Sequence, residues 1–460
     1  MERAKSFEVL NPCDLSVIET LNFHSDEYIE SAIVEASEAL VVDIRDGLQL
    51  RIDAFRRVAL LLSQRQEEFV QVMISEGGKP RKDSLVEFKR ALQGIEAAIG
   101  ELYQFGGREV PMSLSASSAA HRAYTRRVPI GVNLAISAFN HPLNLMIHQV
   151  VAPILAGCPV LVKPALKTPL SAMKFVSLLH EAGISKAQLK LILLPDSKMS
   201  ELVADGRFAL VNFIGSSAVG QKIQRLVSTH TEVVLEHGGN APLILTPSAK
   251  WKERVESIAR SAFAHAGQVC VSLQNVFVHE SLASEFTQAL IKCTESLVVG
   301  NSSEERTDIG PMIRPEARAR VLRVLDGLDE SEILLAAKQM DQTFLTPTIA
   351  RPKSWHNPVV IDEIFGPVLN LLTYREASEV TSFLRDSRYA FQGAVWSQDI
   401  SEIHFFERHL KLQTLMVNEL PSFRVDWMPF GGFNDSGRGL GGFRATYEVV
   451  TREIMTLTRF

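Results

Sequence analysis

The chain has 460 residues, of which 46% are hydrophobic and 22% are charged, and its formal net charge is -5. This length favours two or three domains, and the charge balance excludes the concentrated basic surface that nucleic-acid binders need. No apolar run is long enough to span a bilayer, and the N-terminus lacks a secretory signal. Four scattered cysteines without a CxxC pair argue against a zinc site and predict a protein of the reducing cytoplasm.

Amphipathic helices are predicted in the N-terminal part of the chain. Apolar residues recur at helical spacing over 27–40, 56–78 and 84–99, and "GGKP" ends the second of these helices with glycine and proline. The polar stretch "SLSASSAAHRAYTRRVP" is poor in helix signals and predicts a hairpin that leaves the domain body.

The apolar pattern then changes to short runs of Val, Ile and Leu, such as "GVNLAISAF", "PVLVKPA" and "ALVNFIG". Strands of this kind, separated by helices, predict a parallel sheet with crossover helices and a ligand site beyond the carboxyl ends of the strands. A second alternating series from about residue 239 predicts a second α/β domain. The terminal segment "EIMTLTRF" predicts an isolated strand, which needs a partner such as another subunit.

Two glycine-containing stretches are candidates for a dinucleotide turn. "GRGLGG" at 437–442 matches G-x-G-x-x-G, but no strand precedes it and too little chain follows, so we interpret it as a loop. In 210–227, a strand ends at Gly215, Ser216 can cap a helix, and Gly220 removes a side chain where the first turn approaches something closely. Such a helix start attracts a diphosphate, although an ordinary strand–turn–helix has the same pattern.

Four polar residues stand at positions suited to chemistry. Lys163 follows an apolar strand, where it can bind a ribose or phosphate or lie solvated in a loop. Glu236 ends a strand before two glycines, as a general base or as a capping or ion-paired residue. Asn140 follows a strand, as an oxyanion donor or a turn residue. Cys270 lies in "GQVC", as a nucleophile or as an inert buried thiol.

Eight stretches of the sequence, considered together, favour the functional interpretation of these residues. They are "AFNHP" (138–142), "GCPVLVKPALKTPLSA" (157–172), "FIGSSAVG" (213–220), "LEHGGNAP" (235–242), "GQVC" (267–270), "DIGPMI" (308–313), "EIFGPV" (363–368) and "MPFGGFNDSGRG" (428–439). In this order and over nearly the whole chain, they resemble the motifs of the aldehyde dehydrogenase superfamily. The resemblance implies a Rossmann-like parallel-sheet cofactor domain, a second α/β catalytic domain and a small β oligomerisation arm.

The resemblance also implies the roles of individual residues. Cys270 matches the nucleophile, Glu236 the general base, and Asn140 the side-chain donor to the oxyanion beside the Cys270 amide. The aldehyde would be oxidised with NAD or NADP through a thiohemiacetal and a thioester, without a metal. The expected cofactor-binding residues are Ile136, Ser137, Phe139, Lys163, Gly215, Ser216, Gly220, Glu363 and Phe365.

The domain limits follow from the same resemblance. We expect a cofactor domain over 1–108 and 129–238, a catalytic domain over 239–420, an oligomerisation arm over 109–128 and 443–460, and a loop over 421–442 at the substrate entrance. The arm implies a homodimer or a homotetramer.

Two positions depart from the family pattern. Leu166 stands where NAD-preferring relatives usually have a glutamate; because leucine does not repel a 2′-phosphate, we hypothesise that NADP is accepted. His237 replaces a common leucine after the base, either to tune the base or to pack.

The substrate is expected to be a small hydroxylated or anionic aldehyde, such as lactaldehyde, sulfolactaldehyde, glyceraldehyde 3-phosphate or succinate semialdehyde. Arg424 can bind a carboxylate, sulfonate or phosphate on such a substrate, unless it pairs with Asp426 or Glu419. Arg90 is a second substrate candidate.

Two rival activities share the same nucleophile. A CoA-acylating aldehyde dehydrogenase would release the thioester to CoA, and the presence of Glu236 argues against it. A thiol hydrolase would use Cys270 with His265 and would need no nicotinamide.

Overall fold

The computed structural model of the protein describes residues 5–460. Its strands are β1 (Ser6–Leu10), β2 (Val17–Asn22), β3 (Glu109–Val110), β4 (His121–Pro129), β5 (Val132–Ile136), β6 (Val160–Lys163), β7 (Leu189–Leu191), β8 (Phe208–Ile214), β9 (Glu232–Glu236), β10 (Pro242–Leu245), β11 (Asn275–His279), β12 (Ile333–Leu335), β13 (Thr348–Ala350), β14 (Val368–Tyr374), β15 (Tyr389–Ala390), β16 (Gln392–Trp396), β17 (Thr414–Val417), β18 (Phe433–Asn434), β19 (Gly437–Arg438) and β20 (Thr451–Arg459). The α-helices are α1 (Asp26–Glu38), α2 (Leu48–Gln64), α3 (Gln66–Gly77), α4 (Arg81–Glu101), α5 (Asn144–Leu155), α6 (Pro169–Glu181), α7 (Met199–Val203), α8 (Ser217–Leu226), α9 (Val255–Phe263), α10 (Glu280–Glu295), α11 (Pro315–Leu325), α12 (Pro358–Ile361), α13 (Ala377–Arg385), α14 (Ile400–His409) and α15 (Phe443–Val449). A helix with the length and apolar character needed to span a bilayer is not found within residues 5–460.

The first sheet has the strand order β7-β6-β5-β8-β9-β19 and forms the centre of the N-terminal domain. Its strands run parallel except for β19, which joins β9 antiparallel. One core packs α2 to α6 around buried residues such as Phe55, Phe88 and Phe175, and a second core includes Ile33 of α1 and Ile223 of α8. Coverage by helices explains why these strands are almost continuously apolar.

The second sheet has the order β12-β13-β14-β11-β10-β16-β17. Only β12 runs antiparallel to its neighbour. Phe277 of β11, Phe286 of α10 and Trp396 of β16 are buried together in a separate core. The two parallel sheets with their crossover helices confirm the predicted α/β fold, and the second begins at Pro242, close to the position expected from the sequence.

Strands β3, β4 and β20 form a separate antiparallel sheet. All nine residues of β20 pair with β4, from Thr451 opposite Pro129 to Arg459 opposite His121. The terminal strand therefore has a partner within its own chain, whereas the sequence had left this role open to another subunit.

Residues 443–449, which the sequence analysis assigned to the arm, form α15 and pack against α4 and α5. Phe443 and Tyr447 are fully buried in the core of the N-terminal domain, and Tyr447 Oη donates a 2.8 Å hydrogen bond to Ala98 O. These two aromatic residues lie one turn apart and give α15 an apolar face. The helix therefore belongs to the domain body, and of the segment 443–460 only β20 joins the antiparallel sheet with β3 and β4.

The helix predicted over 56–78 is divided into α2 and α3. Arg65 lies between them with φ -111° and ψ 25°, outside the helical range. Both helices keep their apolar faces toward the same core, through residues such as Leu62 and Phe69. Apolar spacing alone therefore did not reveal the break.

We expect Phe443→Ala to lower the free energy of unfolding by about 3–5 kcal/mol, because it leaves a cavity in the first core. Leu60→Ala on the exposed face of α2 should change it by less than about 0.5 kcal/mol. Urea unfolding of both variants measures the difference, and equally small effects would contradict the assignment of α15 to the domain body.

Candidate active site

A cavity of about 870 Å³ opens at the carboxyl ends of β5, β6, β8 and β9, and the second domain closes its other side. The predicted site residues that line it are Ile136, Ser137, Phe139, Asn140, Lys163, Gly215, Ser216, Glu236, Cys270, Glu363 and Phe365. Leu166 and His237 line it as well. Three further predicted residues, Gly220, Arg90 and Arg424, are not in the lining. The position of the cavity is the one that parallel α/β sheets favour for ligands.

Cys270 follows a loop with an uncommon backbone conformation. His265, Ala266 and Gly267 have φ values of 47°, 55° and 70°, in the left-handed region that residues with side chains rarely adopt. A Cβ at Gly267 would lie 2.1 Å from Gly366 O, so only glycine allows this close approach. The loop leaves Cys270 half-buried in the cavity wall.

The buried side chain of Gln268 holds this loop. It donates a 3.1 Å hydrogen bond to His265 O and accepts one of 2.9 Å from the Ile313 amide. Its backbone oxygen accepts a 3.0 Å bond from Asn140 Nδ2, which joins the two domains beside Cys270. Because Nδ2 carries two hydrogens, one N–H of Asn140 remains available to a ligand.

Glu236 ends β9 and is only 9% exposed. Burial raises its pKa to about 7, and the positive charge of Arg424 opposes that rise. A carboxyl group with this pKa can take up and release a proton near neutral pH. Its Oε1 lies 2.2 Å from where a Cβ of Gly441 would be, so the glycine-rich stretch 437–442 makes room for the carboxyl group.

Burial also raises the pKa of the Cys270 thiol, to about 12. The negative charges of Glu236 and Glu363 contribute to the rise, whereas Arg424 and Arg90 oppose it. The thiol is therefore protonated at neutral pH, and it needs a base before it can act as a nucleophile.

The opposite end of the cavity offers groups to a polar ligand. Ser216 is the N-cap of α8, and the first amides of a helix have no partner within the helix. Ser137 Oγ and Glu363 Oε1 are buried and have no hydrogen-bond partner in the described part of the chain. Since buried polar atoms are normally paired, these two indicate a ligand with hydroxyl groups. Lys163 Nζ lies 3.0 Å from the exposed carboxylate of Asp196.

Asp426 and Glu419, which the sequence analysis considered as partners of Arg424, are bound to other residues. Asp426 accepts hydrogen bonds of 2.7 and 3.1 Å from Arg90 and lies 2.7 Å from His148 Nε2. Glu419 accepts a hydrogen bond from Arg254. Arg90 is thus occupied with Asp426, and neither carboxylate bonds to Arg424.

Among residues 5–460, Arg424 itself makes a single long hydrogen bond, 3.4 Å, to Met428 O. Its guanidinium lies 3.8 Å from the centroid of the Phe430 ring, which lines the cavity. Burial lowers the pKa of Arg424 to about 10, so the side chain stays charged at neutral pH. A charged guanidinium with unused donors beside the cavity can bind an anionic ligand group.

The roles of three residues of this region were not predicted from the sequence, although Asp426 was considered as a partner of Arg424. Gln268 lies inside the "GQVC" motif, which was the only signal for it. Asp426 and Arg320 belong to no motif; Arg320 lines the cavity and donates hydrogen bonds of 2.6 and 3.3 Å to Ile364 O and Phe365 O. Their roles depend on contacts between segments that are distant in the chain.

The rival thiol hydrolase requires a histidine bonded to Cys270. Both ring nitrogens of His265 are buried without a hydrogen-bond partner, and no bond between His265 and Cys270 is present within residues 5–460. The same residues contain no group of three or more His, Cys, Asp or Glu side chains that could hold a metal ion.

Comparison with known proteins agrees with this geometry. The family described as "Aldehyde dehydrogenase family" matches residues 1–456. The 3-sulfolactaldehyde dehydrogenase of Priestia megaterium is 32% identical over 452 residues, which cover 98% of this chain and 94% of that protein.

Solved structures show the same fold. An aldehyde dehydrogenase of Physcomitrella patens in complex with succinate has a TM-score of 0.94 at 26% identity, covering 100% of this chain and 96% of that one. The glyceraldehyde-3-phosphate dehydrogenase of Methanocaldococcus jannaschii complexed with NADP has a TM-score of 0.93 at 26% identity, with 100% of both chains covered. The betaine aldehyde dehydrogenase of Staphylococcus aureus in complex with NAD+ has a TM-score of 0.92 at 25% identity, covering 100% and 92%. The chain therefore belongs to the aldehyde dehydrogenase family, as its motifs predicted, and is an NAD(P)-dependent oxidoreductase that acts on aldehydes.

Proposed function

We propose that this enzyme oxidises a small anionic or hydroxylated aldehyde to its carboxylic acid, with Cys270 as nucleophile, Glu236 as general base and Asn140 as oxyanion donor. One observation carries the proposal: these three side chains come from distant parts of the chain and meet at one cavity. Cys270 and Glu236 interact electrostatically there, and Asn140 is bonded to the loop that carries the thiol.

The N-terminal domain is the proposed cofactor domain, and the second domain carries the nucleophile. The residues assigned to the cofactor are Ile136, Ser137, Phe139, Lys163, Gly215, Ser216, Gly220, Glu363 and Phe365. The start of α8 offers amides to a diphosphate, and the unpartnered atoms of Ser137 and Glu363 fit ribose hydroxyls. When bound, the nicotinamide supplies the hydride acceptor. Leu166 on the cavity wall carries no charge that would repel a 2′-phosphate, which supports the use of NADP as well as NAD.

In the first half of the reaction, Glu236 takes the proton of the Cys270 thiol, because burial keeps that thiol protonated at neutral pH. The sulfur then bonds to the aldehyde carbon, and the carbonyl oxygen becomes an oxyanion. Asn140 Nδ2 and the Cys270 amide donate hydrogen bonds to this oxygen. Loss of a hydride from the carbon leaves a thioester on Cys270.

In the second half, Glu236 has returned its proton to solvent and takes one from a water molecule. The water oxygen attacks the thioester carbon, the C–S bond breaks, and the carboxylic acid leaves. The Cys270 thiolate regains a proton from Glu236. A base in this position supports hydrolysis rather than transfer to CoA.

Arg424 is the proposed anchor for an anionic group of the substrate. Its guanidinium is charged, has unused donors and influences the pKa of both Glu236 and Cys270. The relatives point in the same direction, since one is named for a sulfonated aldehyde, one for a phosphorylated aldehyde, and one contains succinate. Arg90 contributes indirectly, by neutralising Asp426.

We also propose a homodimer, or a tetramer built from dimers, as the working assembly. Strand β20 is at the edge of its sheet, and Ile454, Met455, Leu457 and Phe460 are exposed on or next to it. Exposed apolar edge strands are normally covered, and a second copy offers the same strand.

The need for a reduced Cys270 supports a cytoplasmic location.

Glu236→Gln tests the proposed reaction directly. We expect no burst of reduced cofactor and a steady rate lowered by roughly 10²–10⁴-fold, because neither the Cys270 thiol nor the hydrolytic water then has its base. Stopped-flow absorbance with NAD and with NADP measures the burst, and Glu232→Gln, at the exposed start of the same strand, should behave as the wild type. Unchanged turnover in Glu236→Gln, or in Cys270→Ala, would contradict the proposal, as would wild-type turnover that depends on CoA.

The pKa of Glu236 predicts a change of stability with pH. The folded-state value of about 7 lies above the ordinary 4.5, so the stability contributed by the bound proton is fully present below pH 4.5 and is lost as the pH rises through 7. Glu236→Gln has no carboxyl proton to lose. Between pH 4.5 and pH 8, the free energy of unfolding of the variant minus that of the wild type should therefore increase by about 3 kcal/mol. Urea unfolding at both pH values measures this change, with Glu232→Gln as control. Parallel pH dependence of Glu236→Gln and wild type would show that the carboxyl group has an ordinary pKa.

Arg424→Met should weaken the use of anionic aldehydes selectively. We expect KM for a sulfonated or phosphorylated aldehyde to rise by roughly 10–100-fold, the value of one charge-assisted hydrogen-bonding group, and KM for glycolaldehyde to change little. Steady-state kinetics with both substrates measures this selectivity. Arg254→Met is the matched control, since Arg254 pairs with Glu419, five residues before Arg424 in the chain. Equal increases in KM for the charged and the neutral substrate would show that Arg424 does not bind the anionic group.

A further inference from the structure

His237, the residue after Glu236, has a buried imidazole in which only one of the two ring nitrogens is hydrogen-bonded within the described part of the chain. Its relative exposure is 4%, and its Nδ1 lies 2.9 Å from Asp435 O. Because a carbonyl oxygen can only accept, Nδ1 carries the hydrogen. Nε2 of the neutral ring therefore has a free lone pair, and this atom is buried without a hydrogen-bond partner among the described residues.

That lone pair faces the backbone of α8 at Gly220. A Cβ added to Gly220 would lie 1.8 Å from Nε2 of His237 and at nearly equal distances, 2.7 and 2.9 Å, from the two ring carbons beside it. Near-equal distances mean that the Cβ would sit almost on the axis of the Nε2 lone pair. Gly220 is not among the residues of positive φ, so its backbone conformation does not require glycine. The contact with His237 does.

Asp435 connects the other side of the imidazole to the same helix. Its carboxylate accepts a 2.9 Å hydrogen bond from Gln221, the residue after Gly220, and one of 2.7 Å from Arg388. The backbone amide of His237 donates a 3.0 Å bond to Ser436 O. His237 and Asp435 thus hold two successive residues of α8 at a fixed place relative to β9.

We propose that His237 is a positioning residue that sets the first turn of α8 against the end of β9, and thereby fixes the diphosphate site relative to Glu236. This inference rests on the proposed dinucleotide site at α8. The imidazole is proposed to act through Gly220, whose missing side chain leaves room for the ring. Residues 220 and 237 therefore form one fitted pair.

A double-variant cycle of Gly220→Ala and His237→Ala tests the pair. Gly220→Ala alone should displace the helix start and raise the Kd for NAD and NADP by about tenfold or more, because the new Cβ clashes with the imidazole. His237→Ala alone should raise it less, and the double variant should bind within about twofold of His237→Ala, because the smaller side chain frees the space. Isothermal titration calorimetry measures these values. Gly100→Ala in α4, where a Cβ meets no atom within 4 Å, is the control and should bind like the wild type.

Two results would overturn the inference. One is a wild-type Kd in Gly220→Ala, and the other is a double variant whose increase in Kd equals the product of the increases in the two single variants. If Gly220→Ala does not fold, recovery of the folded protein on adding His237→Ala is the expected result, and no recovery contradicts the pair. The same cycle in urea unfolding separates this inference from the proposed function. If the wild type binds neither NAD nor NADP, the dinucleotide site is wrong, but non-additive stabilities would still demonstrate the contact, and additive ones would refute it.

Discussion

The proposed chemistry depends on the shielding of one carboxyl group and one thiol from water at the junction of two sheets. Desolvation raises the pKa of Glu236 to about 7 and that of Cys270 to about 12, so neither ionises as readily as it would at the surface. A carboxyl group with that pKa exchanges its proton with solvent at neutral pH and is matched to a base. Arg424 opposes both shifts, so one cation acts on both groups that exchange a proton in the proposed mechanism.

Buried carboxylates behind the cavity fix the loops that carry the polar side chains. Glu87 is paired with Lys79 and accepts hydrogen bonds from two backbone amides at the start of α5, just after Asn140. Glu76 accepts bonds from two amides at the start of α6, after Lys163. A carboxylate at a helix start satisfies amides that the helix cannot pair and interacts favourably with its dipole. The ends of β5 and β6 are therefore held from α3 and α4, by buried carboxyl groups that were not recognised in the sequence.

Local patterns were sufficient for the α/β fold and for naming the side chains at the strand ends, because strand period and turn chemistry depend on near neighbours. They could not locate contacts between distant segments. The bond from Asn140 to Gln268 spans 128 residues, and that from Arg90 to Asp426 spans 336. Arg424 illustrates the limit: its nearby carboxylates were visible in the sequence, but the arginines that hold them were not. For α15, likewise, the apolar residues are local, but the surface they pack against is not.

In the proposed function, the segment 421–442 links the substrate side of the cavity to the cofactor side. Arg424 lies near its beginning, Asp435 bonds to His237, and Gly441 makes room for the carboxyl group of Glu236. Its later part is anchored, because β19 pairs with β9 beside the base, whereas Arg424 is held by one long hydrogen bond and a ring contact. Changes at Arg424 therefore leave the strand pairing beside the base intact. The proposed affinity for an anionic substrate and the placement of the proposed base can then vary separately, although one segment of the chain serves both.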